Sequence, residues 1–118
     1  MPILGELNQQ TLITNNFARV VTGTYTGDGA AGGQSITGVG FQPKFIMITR
    51  HDDTVSFGTF MKDDQMGTRA VVWQMDGAAA GHRYSNDVII SLDADGFTIG
   101  NTLSINNNLS IYSYVVFG

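Results

Sequence analysis

Ser91-Leu92-Asp93-Ala94-Asp95-Gly96-Phe97-Thr98-Ile99-Gly100 is the stretch from which the rest of the chain is best read. Two short runs of β-formers flank Asp93-Ala94-Asp95-Gly96. An Asp-Gly step between such runs is a strong hairpin signal, because glycine takes the positive φ that tight turns need. The stretch predicts paired strands over residues 87–92 and 96–99. Upstream, Gly40-Phe41-Gln42-Pro43-Lys44-Phe45-Ile46-Met47-Ile48-Thr49-Arg50 is a turn followed by an apolar run. Pro43 presets φ at the strand start, and residues 44–50 are expected to be buried on both faces.

The same punctuation continues in both directions. Residues 17–26 are rich in β-branched and aromatic side chains and break at Gly27-Asp28-Gly29. A glycine loop through Gly33 leads to a short strand over residues 34–37. Residues 54–60 alternate, with Val55, Phe57 and Thr59 on one face and Ser56, Gly58 and Phe60 on the other. Lys62 to Gly67 reads as a polar connection, residues 68–74 as a strand, and residues 75–86 as a long loop. Asn106-Asn107-Asn108 marks a turn before a closing strand over residues 109–117, with Tyr112, Tyr114 and Val116 on one face. No amphipathic helix is apparent. About eight short strands with regular turns predict an all-β fold, a single antiparallel β-sandwich or jelly-roll-like domain over residues 17–118. Phe45, Ile46, Ile48, Val72, Ile90, Leu92, Phe97, Ile99 and Val115 are its expected core.

Residues 1–16 are amide-rich and only dotted with apolar side chains. They read as a short N-terminal arm, with Leu4, Leu7, Leu12 and Ile13 as candidate assembly contacts on a neighbouring chain. The 118 residues fit one domain, and the absence of cysteine removes disulfides and thiolate chemistry. Six basic against ten acidic residues, a formal net charge of −4, argue against nucleic acid and anionic membrane surfaces as partners. No apolar run approaches the roughly 18 residues that span a bilayer, so membrane insertion is not expected. The first residues lack the charged and apolar regions of a signal peptide, which predicts synthesis in a cytoplasm.

Gly27-Asp28-Gly29-Ala30-Ala31-Gly32 satisfies G-x-G-x-x-G on paper. A phosphate site of that kind needs a helix to follow, whereas a strand follows here. Asp93-Ala94-Asp95-Gly96 is a fragment of a calcium loop, but the only glutamate is Glu6, so the bidentate ligand of such a loop is missing. Asp52-Asp53 and Asp63-Asp64 are oxygen donors that serve a hard cation only if loops converge. His51 and His82 would need a nucleophile such as Ser56 or Ser85 and an orienting group such as Asp87. No nucleophile elbow or zinc-helix motif accompanies them. The expectation is a non-enzymatic protein with no cofactor and no catalytic or metal residues. Tyr25, Trp73 and Tyr84 are the candidates for stacking against a glycan, in competition with core or intersubunit packing.

Gly38-Val39-Gly40-Phe41-Gln42-Pro43-Lys44-Phe45-Ile46 and Ser91-Leu92-Asp93-Ala94-Asp95-Gly96-Phe97, in this order, resemble the two signature stretches of a small all-β domain found in structural proteins of tailed bacteriophages. The resemblance spans roughly residues 22–117. It implies a virion structural protein, such as a capsid decoration protein or a small tail accessory protein. Its implied partners are the major capsid or tail protein. The chain carries no shaft or adjoining module, which favours those roles over a tail fibre. Closed symmetry predicts a homo-oligomer, with a homotrimer expected, made in the host cytoplasm and located in the virion. The alternative is a tail-fibre-type module that binds a receptor or host-surface glycan.

Overall fold

The computed structural model describes residues 19–52, 57–74 and 81–118. Within them run β1 (Val20–Thr26), β2 (Gln34–Ile36), β3 (Phe45–Arg50), β4 (Phe57–Asp63), β5 (Arg69–Gln74), β6 (Gly81–Asn86), β7 (Ile89–Asp93), β8 (Gly96–Ile99) and β9 (Ile111–Phe117). Two antiparallel sheets form: six strands in the order β1-β9-β3-β4-β5-β6, and three in the order β2-β8-β7. The protein is an all-β sandwich, as the turn-punctuated strands predict. Strands β3 to β6 are a meander. The last strand, β9, enters between β1 and β3 and pairs with both, so the C-terminal aromatic run lies inside the large sheet. The candidate arm residues Leu4, Leu7, Leu12 and Ile13 lie outside the described residues, as do Val55 and Ser56.

The core lies between the sheets. Ile46 and Ile48 of β3, Phe60 of β4, Val72 of β5 and Tyr112 and Val116 of β9 point inward from the large sheet. Phe97 and Ile99 of β8, Ile89 of β7 and Ile36 of β2 meet them from the small one. Tyr25 stacks on Tyr112 at 4.7 Å between ring centroids, and Phe97 meets both Tyr25 and Tyr114 edge-on. Gly23 faces Tyr114 across the β1–β9 pair, and a Cβ there would overlap the tyrosine ring. Backbone hydrogen bonds in both directions join Arg19 and Gly118, at 2.8 and 2.9 Å.

Several expectations change. Residues 44–50 are buried on one face: Ile46 and Ile48 are inside, while Phe45 and Met47 lie half-buried on the far side of the sheet. Phe45 packs there against Phe117, and Val115 shares that face, so neither belongs to the core. Ile90 is half-buried, because a register shift between Ile89 and Ser91 turns Ile89 inward instead, while Leu92, opposite Phe97, packs against the core though it is only half-buried. A second register shift, between Phe57 and Thr59, separates the faces of these two residues. Phe57 consequently packs against the core like Phe60. Glycine at the intervening position is the usual mark of a bulge.

Part of the expected 75–86 loop is β6, paired in full register with β5 from Arg69↔Asn86 to Gln74↔Gly81. It is an edge strand with no fully buried residue, so His82-Arg83-Tyr84-Ser85-Asn86 shows no apolar alternation. Strand β4 also runs on through Lys62 and Asp63, which the polar composition had suggested was a connection.

Phe60→Ala and Phe97→Ala should each cost about 3–5 kcal/mol, the range for emptying a packed aromatic site. Phe45→Ala, on the half-exposed face, should cost about 1–2 kcal/mol because less apolar area leaves water there. Urea midpoints at unchanged m-value measure the difference.

Candidate functional site

The two signature stretches meet in space. The Asp95 carboxylate accepts hydrogen bonds from the backbone N–H of Gly38 (3.1 Å) and Gly40 (2.6 Å), while its own carbonyl accepts from Val39 N–H (3.1 Å). Gly38 and Gly40 both adopt positive φ, +84° and +94°, which glycine tolerates without a Cβ clash. Asp93 braces the hairpin, accepting from Ser91 Oγ (2.7 Å) and Thr98 Oγ1 (2.6 Å). The aspartates of this turn are therefore clamps between loops. Similarly, the amides of Gly27, Asp28, Gly29 and Ala30 are bonded to Ser110, Asn106 and Asp28 oxygens. That loop packs on residues 106–110 and presents no free row of donors to a phosphate.

Tyr25 is in the core, 7% exposed, and its hydroxyl donates to the Ile105 carbonyl at 2.8 Å. Burial pushes its hydroxyl pKa far up, with the neighbouring Tyr112 adding to the effect. Its inward register opposite Tyr112 removes it as a glycan-facing residue. Trp73 and Tyr84 are accessible, 39% and 58% exposed. They lie on the far face of the large sheet with His82 between them, its ring 5.4 Å from Trp73 and 6.4 Å from Tyr84. The Arg69 guanidinium sits 5.1 Å over the Tyr84 ring. Sequence reasoning missed His82 and Arg69 as members of this group, since their proximity follows from the β5–β6 register.

The face they stand on is the notable surface of the molecule. Five large hydrophobic residues are exposed among the described residues, and four of them, Val20, Trp73, Tyr84 and Ile111, project from this one side of the large sheet. Met47, Met61, Val71 and Val115 fill the ground between, with Thr22, Thr24, Thr49 and Thr59 interspersed. Asp63 and Arg69 are the charged strand residues on this side, at one end of β4 and β5. Over β1, β9 and β3 the face is hollowed into a shallow groove of about 390 Å³ lined by Thr22, Thr24, Met47, Thr49, Ser113 and Val115.

The remaining candidates do not converge. His51 Nε2 lies 3.0 Å from Ser113 Oγ on the open face, apart from Ser85 and Asp87, and His82 packs between the rings of Trp73 and Tyr84. Asp52 pairs with Arg50 at 2.7 Å and accepts from Ser110 Oγ at 2.9 Å. The Ser110 hydroxyl and then the Arg50 guanidinium hold the Asp52 carboxyl below the ordinary carboxylate value. Asp63 and Asp64 accept hydrogen bonds from Gln65. Among the described residues no three His, Cys, Asp or Glu side chains come together to hold a metal ion. Lys62, 2% exposed, donates its Nζ protons to the carbonyls of Gly67 and Arg69, which closes the β4–β5 turn. Burial lowers its amine below lysine's usual value, with Asp63 opposing.

Residues 15–117 match the family described as Domain of unknown function (DUF7483). The chain belongs to that family. No curated protein and no solved structure matches it. The two loop stretches joined by Asp95 lie inside the DUF7483 match. What they contribute there is loop geometry, since Asp93, Asp95 and Gln42 are each turned to a structural partner.

Asp95→Ala in the DUF7483 domain should cost about 0.5–1.5 kcal/mol through the loss of two solvent-accessible hydrogen bonds to the loop amides, read as a lower urea midpoint. Lys62 supplies a pH signature. Its folded-state pKa lies below the unfolded value near 10.5, so between the two the unfolded chain binds more protons and stability rises with pH. Tyr25 and Tyr112, whose pKa values are raised from 10.0, act oppositely near and above pH 10. Comparing urea midpoints of wild type and Lys62→Met from neutral to mildly alkaline pH isolates the lysine: the variant should lack the rise.

Proposed function

We propose that this protein is a non-enzymatic structural component of a bacteriophage virion, a capsid decoration or small tail accessory protein that works as a symmetric oligomer, a trimer. The observation that carries the reading is the far face of the six-stranded sheet, where four of the five large hydrophobic residues exposed among the described residues gather with few charges. Surfaces of that kind mark association sites, because a monomer gains nothing by holding apolar area in water. The resemblance of the two signature stretches to phage particle domains supports the choice of assembly. In this reading the segment 1–16 reaches from the domain onto the neighbouring chain or the shell. Sixteen extended residues cover up to roughly 50 Å at about 3.3 Å each.

A second reading has its own observation. Trp73, His82 and Tyr84 form an accessible ring cluster with Arg69 beside it. Such a cluster offers the stacking faces that a receptor- or glycan-binding module uses.

Mixing purified protein with undecorated particles and measuring occupancy and particle survival on heating tests the main reading. Full-length protein should bind in many copies and protect. Deleting residues 2–16 should leave the β domain folded but reduce occupancy. Failure of the full-length chain to bind any shell or tail, together with tight binding to a defined glycan, would transfer the function to the second reading.

A further inference from the structure

We propose that the far face of the large sheet is a contact surface between identical copies of this chain. In it, the aromatic end of one copy, Trp73 and Tyr84, seats in the threonine-lined groove of a second copy of this chain. The inference rests on the oligomeric part of the proposed function and names the surface that builds it.

The two halves of the face differ in shape. On the β5–β6 half, Trp73 and Tyr84 stand out into solvent. The β1–β9–β3 half is recessed instead. It is lined by Met47, Val115, Thr22, Thr24, Thr49 and Ser113, around a volume of about 390 Å³. A knob and a hollow on opposite halves of one face are what a symmetric pairing of identical chains requires, since each copy offers both parts. A twofold axis pairs both halves with one neighbour. A threefold axis gives the knob to one neighbour and the hollow to the next.

Area and charge favour a copy of the chain over other occupants. Six strands about 4.8 Å apart and about six residues long make a patch of roughly 500–600 Å² before side-chain relief. That is close to the roughly 800 Å² each partner gives to a stable interface. The strand residues of this face carry one acidic and one basic side chain, Asp63 and Arg69, at the same end. Two copies can therefore approach without like-charge repulsion, despite the chain's formal net charge of −4. A glycan is less suited to the middle of the face, where Met61 and Val71 present no hydrogen-bonding side chain. The sheet edges are less suited to pairing: β6 carries His82, Arg83 and Asn86, polar side chains of the kind that discourage strand addition.

Sedimentation of the full-length chain over a range of concentrations tests the contact. Wild type should form a defined oligomer. Trp73→Ala should weaken self-association by about 30-fold or more, the loss typical of an interface anchor. Met47→Glu, which places a charge in the groove lining, should give a monomer. Leu109→Lys, at the most exposed apolar side chain and off this face, should change nothing. The chain has no cysteine, so mixing Thr24→Cys with Tyr84→Cys gives a second readout that does not depend on how well Met47→Glu folds. Under mild oxidation a heterodimeric disulfide should form faster than either homodimer. A wild-type protein that stays monomeric at high concentration, or an oligomer that survives both Trp73→Ala and Met47→Glu without the mixed disulfide, overturns the inference. Particle binding is measured separately, so an oligomer built through this face that ignores shells and tails would sink the virion reading and leave the contact standing.

Discussion

The fold depends on the stacked pair Tyr25–Tyr112. These residues are cross-strand partners of β1 and β9, and their rings lie nearly parallel, 8° apart, under the small sheet. Each hydroxyl then leaves the core to hold the same segment. Tyr25 donates to the Ile105 carbonyl, while Tyr112 donates to the Ser104 carbonyl and accepts from the Asn107 amide. Residues 101–110 contain three non-glycine positions at positive φ, Leu103, Ser104 and Leu109. Such backbone is costly for ordinary side chains and persists only where its surroundings over-determine it. The two tyrosines supply that constraint, and Asn106, fully buried, adds a bond from its amide nitrogen to Asp28. One aromatic pair thus registers the last strand, orders a strained loop and closes one end of the sandwich.

The same loop economy explains how the large sheet can keep one face open. The small sheet and the loops around Val39, Phe41, Val88 and Ile105 cover the inner side, and all four of those residues are buried. Nothing among the described residues is packed over the other side in a comparable way. Inward positions carry Ile, Val, Phe and Tyr, whereas outward positions carry threonine and methionine along with exposed aromatics. Threonine and aromatic residues suit strand geometry while leaving a surface that is neither a sealed core nor a charged, solvated one.

Much of this was legible in the sequence. The Asp95-Gly96 turn, the Pro43 strand start and the alternation in residues 109–117 announced a β-sandwich, and the last strand divides its faces as expected, although the face of Tyr112, Tyr114 and Val116 is the inward one and not that of Val115. Phe45 and Val115 were misread because a run of apolar residues does not say whether one face or two are covered. Phe57 was misread because a bulge shifts the phase without changing composition. Strand β6 was invisible because an edge strand with little burial leaves no apolar pattern. The face bearing Trp73 and Tyr84 was half legible: the residues stand out, but their gathering with His82 and Arg69 is a product of register. Lys62 carried no signal at all, since its role comes from two backbone carbonyls that only the folded turn supplies.

The reciprocal backbone bonds between Arg19 and Gly118 carry an architectural consequence. The domain is entered and left at one point, at the end of the β1–β9 pair. A unit with adjacent ends can be set into a surface loop of another protein, or cut and rejoined elsewhere, with little disturbance to either partner. It can also be strung in series, each unit hanging from the backbone like a pendant rather than lengthening it. Modularity of this kind is independent of what the open face binds. It allows the same sandwich to be displayed singly, in tandem or as an insertion, with its broad face presented in each case.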